Sequence, residues 1–120
     1  MSKTVLVADD SASVRQIVGM VLKGNGCQVI EAVDGQDALD KLNGQKVHLI
    51  ISDVNMPVMD GLTFVAAVKE LADYKFTPVL MLTTESGEDM KAKGKALGVK
   101  AWLVKPFQPQ VLLSAIAKLT

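Results

Sequence analysis

Residues 4–10 read TVLVADD, a short apolar and β-branched run that ends in two aspartates. Such a run predicts a buried β-strand over residues 4–8. Directly after it, apolar residues recur at the three- and four-residue spacing of an amphipathic helix, namely Val14, Ile17, Val18, Val21 and Leu22. A buried strand followed by an amphipathic helix is the repeating unit of an α/β sheet, so this segment favours that class of fold.

The same order of strand and helix repeats to the end of the chain. Further strands are predicted at 28–32, 48–52, 78–82 and 100–104, and further helices at 35–42, 62–72, 88–97 and from Pro109 onward. The runs at 4–8, 48–52 and 78–82 are continuously apolar, which is typical of strands buried on both faces of a parallel sheet. Five β-α units with right-handed crossovers predict a doubly wound α/β fold with a five-stranded parallel sheet.

The composition excludes several classes of protein. The chain has 120 residues, with 13 Lys and Arg against 13 Asp and Glu, so we expect one soluble domain over residues 1–120. Zero net charge and 4% aromatic residues argue against a nucleic-acid interface. No apolar run approaches the roughly 18 residues of a membrane span, and the N-terminus lacks a signal-peptide pattern. The single Cys27 allows no disulfide framework, so we expect a cytoplasmic protein.

Chemically active side chains follow four of the predicted strands. In an open α/β sheet, ligands bind beyond the carboxyl ends of the strands, which meet at one edge. The residues at those ends are Asp9 and Asp10, Asp53, Thr83 and Thr84, and Lys105 and Pro106. None of these polar groups is needed to form the sheet, so this edge is the candidate site.

The residue types at this edge indicate phosphoryl chemistry with a divalent cation. Clustered carboxylates repel one another, and Lys105 supplies only one positive charge. A hard cation, Mg²⁺ or Mn²⁺, fits the remaining deficit because it prefers oxygen ligands and leaves positions for phosphate. The Lys105 ammonium and the Thr83 hydroxyl are suited to holding phosphoryl oxygens. A carboxylate nucleophile would then form an acyl phosphate.

Four motifs carry a resemblance to a known family. They are VADDS at 7–11, SDVNMPVMDG at 52–61, LTT at 82–84 and LVKPF at 103–107. With these motifs in this order, the sequence resembles the receiver domains of two-component response regulators, and in particular the stand-alone regulators of chemotaxis. The resemblance covers essentially the whole chain. It also implies the flavodoxin-like strand order 2-1-3-4-5, which periodicity alone does not provide.

The resemblance assigns a role to each residue of the site. It implies that Asp53 is the phosphoacceptor and that Asp10 and Asp53 coordinate Mg²⁺ directly. Asn55 would add its backbone carbonyl, and Asp9 would act largely through water. Thr83 and Lys105 would stabilise the phosphoryl group, and the peptide bond between Lys105 and Pro106 would be cis.

The resemblance also implies a switch built from Thr83 and Trp102. In the family, an aromatic ring at the position of Trp102 turns inward when the hydroxyl is drawn to the phosphoryl group. This movement reshapes the face formed by the fourth helix, the fifth strand and the fifth helix. The family usually has Tyr or Phe at this position, so Trp102 leaves the amplitude of the switch open. Asn55, Thr84 and Glu85 occupy positions that tune hydrolysis of the phosphorylated state.

The implied partners follow from these roles. A sensor histidine kinase would be the phosphodonor, and a target protein would dock on the reshaped face, because we expect no output domain. A flagellar motor switch component and a chemoreceptor array component both fit as targets, and a role as a phosphate sink is equally compatible. We expect a monomer that binds neither nucleic acid nor membrane. Its only catalysis would be its own phosphorylation and slow autodephosphorylation.

Two other classes of protein share part of this pattern. Phosphohydrolases of the haloacid-dehalogenase kind also use an aspartyl nucleophile and Mg²⁺, but they place a second Asp two residues later, where this chain has Asn55. A flavodoxin-type redox module is opposed by the acidic edge, which would repel an anionic FMN phosphate. Local alternatives also exist: Thr83 as a loop cap, Trp102 as a packing residue, Asp60 and Gly61 as turn residues, and lysines 91, 93, 95 and 100 as a solvated face or a docking surface.

Overall fold

The fold is a three-layer α/β sandwich, seen in a computed structural model that describes residues 3–120. Strands and helices alternate along the chain without exception. The strands are β1 (Thr4–Ala8), β2 (Gln28–Ala32), β3 (Leu49–Ser52), β4 (Val79–Thr83) and β5 (Ala101–Val104). The helices are α1 (Ala12–Gly24), α2 (Gly35–Leu42), α3 (Gly61–Lys69), α4 (Glu88–Ala96) and α5 (Pro109–Leu119).

All strand pairs are parallel, and the order of the strands is β2-β1-β3-β4-β5, as the resemblance implied. Register explains why the polar strand ends meet. Ala8 pairs with Ser52, so the residues that follow them, Asp9 and Asp53, emerge side by side. Thr83 pairs with Val104, which brings Lys105 to the same edge.

Two apolar cores lie on the two faces of the sheet. One packs α2 and α3 against the sheet, with Phe64, Val65 and Val68 fully buried, and α4 adds the partly buried Met90 to it. The other packs α1 and α5 against the opposite face through Leu22 and Leu112. Because the central strands are covered on both sides, β3 and β4 are buried along their whole length. Among residues 3–120, no helix is long and apolar enough to cross a membrane.

Short polar side chains define where three helices begin. Ser11, Asp34 and Asp60 occupy the N-cap positions of α1, α2 and α3, and each side chain accepts a hydrogen bond from a backbone N–H of the first turn. Asn43 ends α2 in the left-handed conformation, with φ 31°. These local contacts fix the points at which the chain turns from sheet to helix.

The predicted bounds differ most from the structure in α3. The helix was predicted over residues 62–72, but it begins at Gly61 and ends at Lys69. Past Lys69 the chain turns so that the buried Tyr74 hydroxyl lies 2.9 Å from the Leu42 carbonyl oxygen and 2.7 Å from the Gln45 carbonyl oxygen, which share its one proton. This long-range anchor competes with continued helix, and the helical periodicity of the sequence carries no sign of it.

Candidate functional site

Three carboxylates meet at the carboxyl ends of β1 and β3. One oxygen each from Asp9, Asp10 and Asp53 lies within 4.8 Å of the others. Asp9 and Asp53 are 2% and 7% exposed, whereas Asp10 is open to solvent. Buried carboxylates this close together need positive charge nearby, and oxygen ligands of this kind suit a hard divalent cation.

The Lys105 ammonium bridges two of these carboxylates. Its Nζ lies 2.7 Å from Asp9 Oδ2 and 2.9 Å from Asp53 Oδ2. Burial acts to lower the pKa of Lys105, but its hydrogen bonds and charge pairing with the two aspartates outweigh burial and raise the pKa above its ordinary 10.5. Burial raises the pKa of Asp9, and the bonds from Lys105 and the Ser11 N–H offset this only in part. The lysine therefore stays charged and holds the pair together.

The backbone around Asp53 is held tightly from both sides. Its N–H donates to the Ala8 carbonyl at 2.9 Å, and its Oδ1 accepts from the Val54 N–H at 2.7 Å. Gly61 N–H donates to the Val54 carbonyl at 2.7 Å, which brings the start of α3 against this segment. A Cβ atom at position 61 would overlap the Asp53 carbonyl oxygen. Gly61 is thus a site-shaping residue, a role that its reading as a turn residue missed.

A tight loop follows Asp53 and leads to α3. The Met59 N–H donates to the Pro57 carbonyl at 2.7 Å, a γ-turn centred on Val58, which has φ 67°. A β-branched residue in this conformation is strained, and strain of this kind collects at functional sites. Asn55 lies on this loop and is exposed, so its groups are accessible next to Asp53.

The predicted switch residues are joined through Glu85. Thr83 is buried, and its Oγ1 accepts from the Glu85 N–H at 3.1 Å. The carbonyl of Glu85 accepts from the indole Nε1 of Trp102 at 2.8 Å. Both backbone groups of Glu85 therefore tie the hydroxyl at the end of β4 to the indole on β5. The local capping role considered for Thr83 is what its hydroxyl performs here.

Trp102 fits beneath α4 because residue 94 has no side chain. A Cβ atom at Gly94 would lie 2.8 Å from Cζ3 of the indole, well inside van der Waals contact. The partly buried ring therefore fills the space that the glycine leaves in the middle of the helix. No periodicity in the sequence predicts this pairing, because it joins a helix to a neighbouring strand.

The remaining predicted residues lie around the mouth of the site. Thr84 is exposed and Glu85 is half-buried. The peptide bond between Lys105 and Pro106 is cis. Thr84, Lys105 and Pro106 also border an apolar groove of about 520 Å³ whose other side is formed by Val14 and Ile17 of α1. All of the predicted site residues thus lie at the carboxyl edge of the sheet or on the β5 side beside it.

A doubly wound parallel sheet with an acidic cluster and a lysine at its carboxyl edge suits phosphoryl chemistry with a divalent cation. The model of the response regulator receiver domain matches residues 5–117, nearly the whole chain. The protein belongs to this family. The match favours a receiver domain over the phosphohydrolase and flavodoxin alternatives.

Individual relatives agree with the family. The chain is similar to protein PilG of Pseudomonas aeruginosa, at 42% identity over 93% of this chain and 83% of that protein. It is also similar to the chemotaxis protein CheY1 of Helicobacter pylori, at 39% identity over 90% of this chain and 89% of that protein. Among solved structures, the chemotaxis protein CheY4 of Vibrio cholerae has a TM-score of 0.95 and 48% identity, with both chains covered completely.

These likenesses define the general function. The chain is a receiver domain of two-component response regulators, and its similarity to chemotaxis proteins supports signalling of the chemotaxis type. Domains of this kind act as switch proteins that receive phosphate from histidine kinases and bind targets, rather than as conventional enzymes. The acidic cluster of Asp9, Asp10 and Asp53 fits the metal pocket of such a domain.

Proposed function

We propose that Asp53 is the phosphoacceptor of this receiver domain. One observation carries the proposal: the Asp53 carboxylate is buried at the end of a central strand, with Lys105 2.9 Å from one oxygen. The other oxygen is bonded to the Val54 N–H, so the group is held in one orientation. A held carboxylate with a cation beside it is suited to attack a phosphorus atom.

The phosphodonor in this proposal is a phosphohistidine of a sensor kinase, or a small acyl phosphate in vitro. A carboxylate oxygen of Asp53 forms the new bond to phosphorus, and the phosphorus–nitrogen bond of the donor breaks. The imidazole leaves with the bonding electron pair and takes up a proton. Lys105 then pairs with an oxygen of the transferred group, and the Thr83 hydroxyl donates to another.

Mg²⁺ or Mn²⁺ fits the donor set of the site. Asp10 and Asp53 would hold the ion directly, the backbone carbonyl of Asn55 would add a neutral oxygen, and Asp9 would act largely through water. All four offer hard oxygen ligands, and the three carboxylates are already close together. When bound, the ion supplies positive charge that offsets the carboxylates and the phosphoryl oxygens.

The switch in this proposal runs through the residues that Glu85 joins. When the Thr83 hydroxyl turns toward a phosphoryl oxygen, the Glu85 N–H loses its acceptor. The backbone at Glu85 then shifts, and the indole of Trp102, which donates a hydrogen bond to the Glu85 carbonyl, responds. The surface formed by α4, β5 and α5, the α4-β5-α5 face, changes shape and selects its target. Thr84, Glu85 and Asn55 tune the access of hydrolytic water.

The pathway that we propose is chemotaxis, with the domain acting in the cytoplasm as a monomer. Candidate targets are a flagellar motor switch component or a component of the chemoreceptor array. Similarity to CheY1 and CheY4 supports this choice. In this proposal, residues 1–120 make up one receiver domain and include no output domain.

Phosphorylation is tested with acetyl phosphate and Mg²⁺, followed by intact-mass measurement. We expect a mass gain of one phosphoryl group that is stable in acid and labile in alkali. Asp53→Asn should abolish the gain, because an amide oxygen is a poor nucleophile. The matched control is Asp73→Asn, an exposed carboxylate far from the site in sequence, which should be phosphorylated like the unaltered protein.

Two outcomes contradict the proposal. A mass gain that persists in Asp53→Asn would move the phosphoacceptor elsewhere. No gain in the unaltered protein, with Mg²⁺ present, would remove phosphoryl transfer from its function.

A further inference from the structure

Arg15 is the only arginine of the sequence, among 13 basic residues, and it lies near the start of α1. Its guanidinium makes two contacts through two different nitrogens. Nη1 donates to the Asp9 backbone carbonyl at 2.7 Å, and Nε donates to Oε1 of Glu31, on β2, at 3.2 Å. A guanidinium can meet two acceptors at once because its N–H groups are fixed in one plane, whereas an ammonium is a compact point charge. The side chain therefore joins α1 and β2 to the end of β1.

The two contacts of Arg15 lie in different surroundings. The Arg15 side chain is 15% exposed, whereas the Glu31 side chain is 45% exposed. An ion pair with so exposed a carboxylate contributes little by itself, because water screens it. The contact with the Asp9 carbonyl is the shorter of the two and reaches a buried residue. The Glu31 contact thus serves mainly to direct the guanidinium toward that carbonyl.

The Glu31 end of this connection is itself held in place by α2. Lys41 Nζ donates to the Glu31 backbone carbonyl at 2.6 Å and pairs with the Asp37 carboxylate at 3.2 Å. The Asp37 carboxylate accepts a hydrogen bond from the Val33 N–H at 2.9 Å. The carboxyl end of β2 is therefore tied to α2, which gives Arg15 a fixed support.

The side chain of Asp10 is constrained only through its backbone. The Asp9 carboxylate accepts hydrogen bonds from the Ser11 N–H at 2.9 Å and from Lys105 at 2.7 Å. Asp10 is exposed, and no ion pair formed within residues 3–120 includes it. Its direction depends on the peptide group that joins it to Asp9, and the carbonyl of that peptide is the one that Arg15 holds.

We propose that Arg15 is a positioning residue of the metal site. By holding the Asp9 carbonyl, it orients the peptide that carries Asp10, and so the direction in which Asp10 offers its carboxylate to the cation. This inference rests on the proposed function, in which Asp10 coordinates Mg²⁺ or Mn²⁺ directly. A ligand that is already oriented loses less freedom when the ion binds, so orientation raises affinity. Groups that orient metal ligands commonly contribute to metal affinity in this way.

The positive charge of Arg15 would act in the opposite direction. A guanidinium beside the acidic cluster repels a divalent cation, so a purely electrostatic effect would make Mg²⁺ bind more tightly once that charge is removed. Loss of positioning makes Mg²⁺ bind less tightly after the same change. The sign of the change in Mg²⁺ affinity therefore distinguishes the two effects.

The test is a titration with Mg²⁺ by isothermal titration calorimetry, at about 0.15 M salt to screen distant charges. Arg15→Gln should raise the Kd for Mg²⁺ about tenfold, at the lower end of what loss of an orienting group costs. Arg15→Lys keeps the charge but offers one nitrogen in place of the fork, so it should raise the Kd about threefold.

Two further variants complete the test. Glu31→Ala removes only the carboxylate that directs the guanidinium, and it should also raise the Kd about threefold. The matched control is Lys23→Gln, which removes one positive charge from the last turn of the same helix and should change the Kd by less than about twofold. Circular dichroism shows that each variant is folded. If Arg15→Gln does not fold, Arg15→Lys and Glu31→Ala carry the same test.

Three results would overturn the inference: tighter binding of Mg²⁺ by Arg15→Gln, an unchanged Kd, and an equal loss in Lys23→Gln. Lower thermal stability of Arg15→Gln with an unchanged Kd would likewise make Arg15 a residue of the fold alone. A loss of affinity that follows the order Gln, Lys, unaltered protein at position 15 supports positioning.

Phosphorylation by acetyl phosphate is measured on the same preparations. If the unaltered protein is phosphorylated and Arg15→Gln binds Mg²⁺ as the unaltered protein does, only this inference fails. If Mg²⁺ binds and its affinity falls in Arg15→Gln but no phosphorylation occurs, the proposed function fails and the role of Arg15 in the metal site stands. Absence of Mg²⁺ binding by the unaltered protein removes both.

Discussion

Helices α3 and α4 have nine residues each and lie on the same face of the sheet, yet they are attached to it in different ways. α3 buries Gly61, Phe64, Val65 and Val68, and the Asp60 side chain caps its first turn. α4 buries only Gly94, and the N-cap residue, Gly87, has no side chain to cap it. Helix α3 is therefore part of the core, whereas α4 packs on the surface of the core.

In the proposed switch, this difference separates stability from switching. Elements with few buried apolar contacts open at lower free energy than elements in the core. The proposed switch face, which includes α4, can therefore change shape while α3 keeps the loop after Asp53 in place. Three predictions test this division, in order of expected size.

Phe64→Ala should be the most destabilising of these substitutions. The Phe64 side chain is fully buried in the core under α3, and removing it leaves a cavity, at a cost of about 3–5 kcal/mol in the free energy of unfolding. Met90→Ala, in α4, should cost about 1 kcal/mol because that side chain is only partly buried. Urea unfolding followed by circular dichroism measures both.

Equal losses for these two variants would contradict the comparison. If Phe64→Ala does not fold, Phe64→Leu keeps the test open, since it should cost about 1–1.5 kcal/mol. Met90 should tolerate the same change to Leu with almost no loss.

Tyr74 makes the stability of the fold on the α3 side depend on pH in the alkaline range. Burial raises the pKa of its hydroxyl above the ordinary 10.0, so the folded protein holds this proton more tightly than the unfolded chain. The stabilisation is complete below pH 10 and is lost as the pH rises through the higher pKa of the folded state. Tyr74→Phe removes the one hydroxyl proton that two carbonyls share and should cost about 1–2 kcal/mol at neutral pH.

The measurement is the difference in unfolding free energy between the unaltered protein and Tyr74→Phe from pH 7 to 11. That difference should shrink above about pH 10, where the phenol of the unfolded chain begins to ionise. Other groups that titrate in this range, such as Lys69, are common to both proteins and cancel. A difference that stays constant with pH would show that the hydroxyl does not couple folding to its proton.

Gly94→Ala should give the smallest change in stability and the most specific signal. In an open helix position, replacing Gly by Ala stabilises by about 0.5–1 kcal/mol, and we expect this for Gly19→Ala in α1, where nothing lies within 4 Å of the new methyl group. At Gly94 the methyl group would lie 2.8 Å from the Trp102 ring, which has to move. We expect no net stabilisation and a shifted emission spectrum from Trp102, the sole tryptophan of the chain.

Stabilisation of Gly94→Ala to the level of Gly19→Ala, with unchanged emission, would mean that the ring does not depend on the glycine. In that case the position of the Trp102 ring would not be coupled to α4.

Much of the fold was predictable because its signals are local. β1 and β2 lie where they were predicted, since each contains β-branched residues and is followed within three residues by the N-cap residue of a helix. The meeting of Asp9, Asp53 and Lys105 was also predictable, because parallel strands deliver their ends to one edge. The order of the strands was not, and it came only with the resemblance to receiver domains.

What the sequence did not predict depends on contacts between distant residues. The close approach of Gly61 to the Asp53 carbonyl, the indole bond to Glu85 and the fit of Trp102 against Gly94 all join different elements. The bridge from Lys105 to Asp9 and Asp53, rather than to Asp10, likewise joins residues that follow three different strands. Periodicity describes which face of an element is buried, but it does not describe which atoms meet there.

Acidic and basic residues are unevenly distributed over this protein, although its net charge is zero. The acidic residues of β2 and α2 lie at one outer strand of the sheet, and the lysines of α4, β5 and α5 lie at the other. Separated charges of opposite sign form an electric dipole even when their sum is zero. The electric field of this dipole would therefore orient the protein and a charged partner before they make contact. The rate of productive encounters would fall as added salt screens that field.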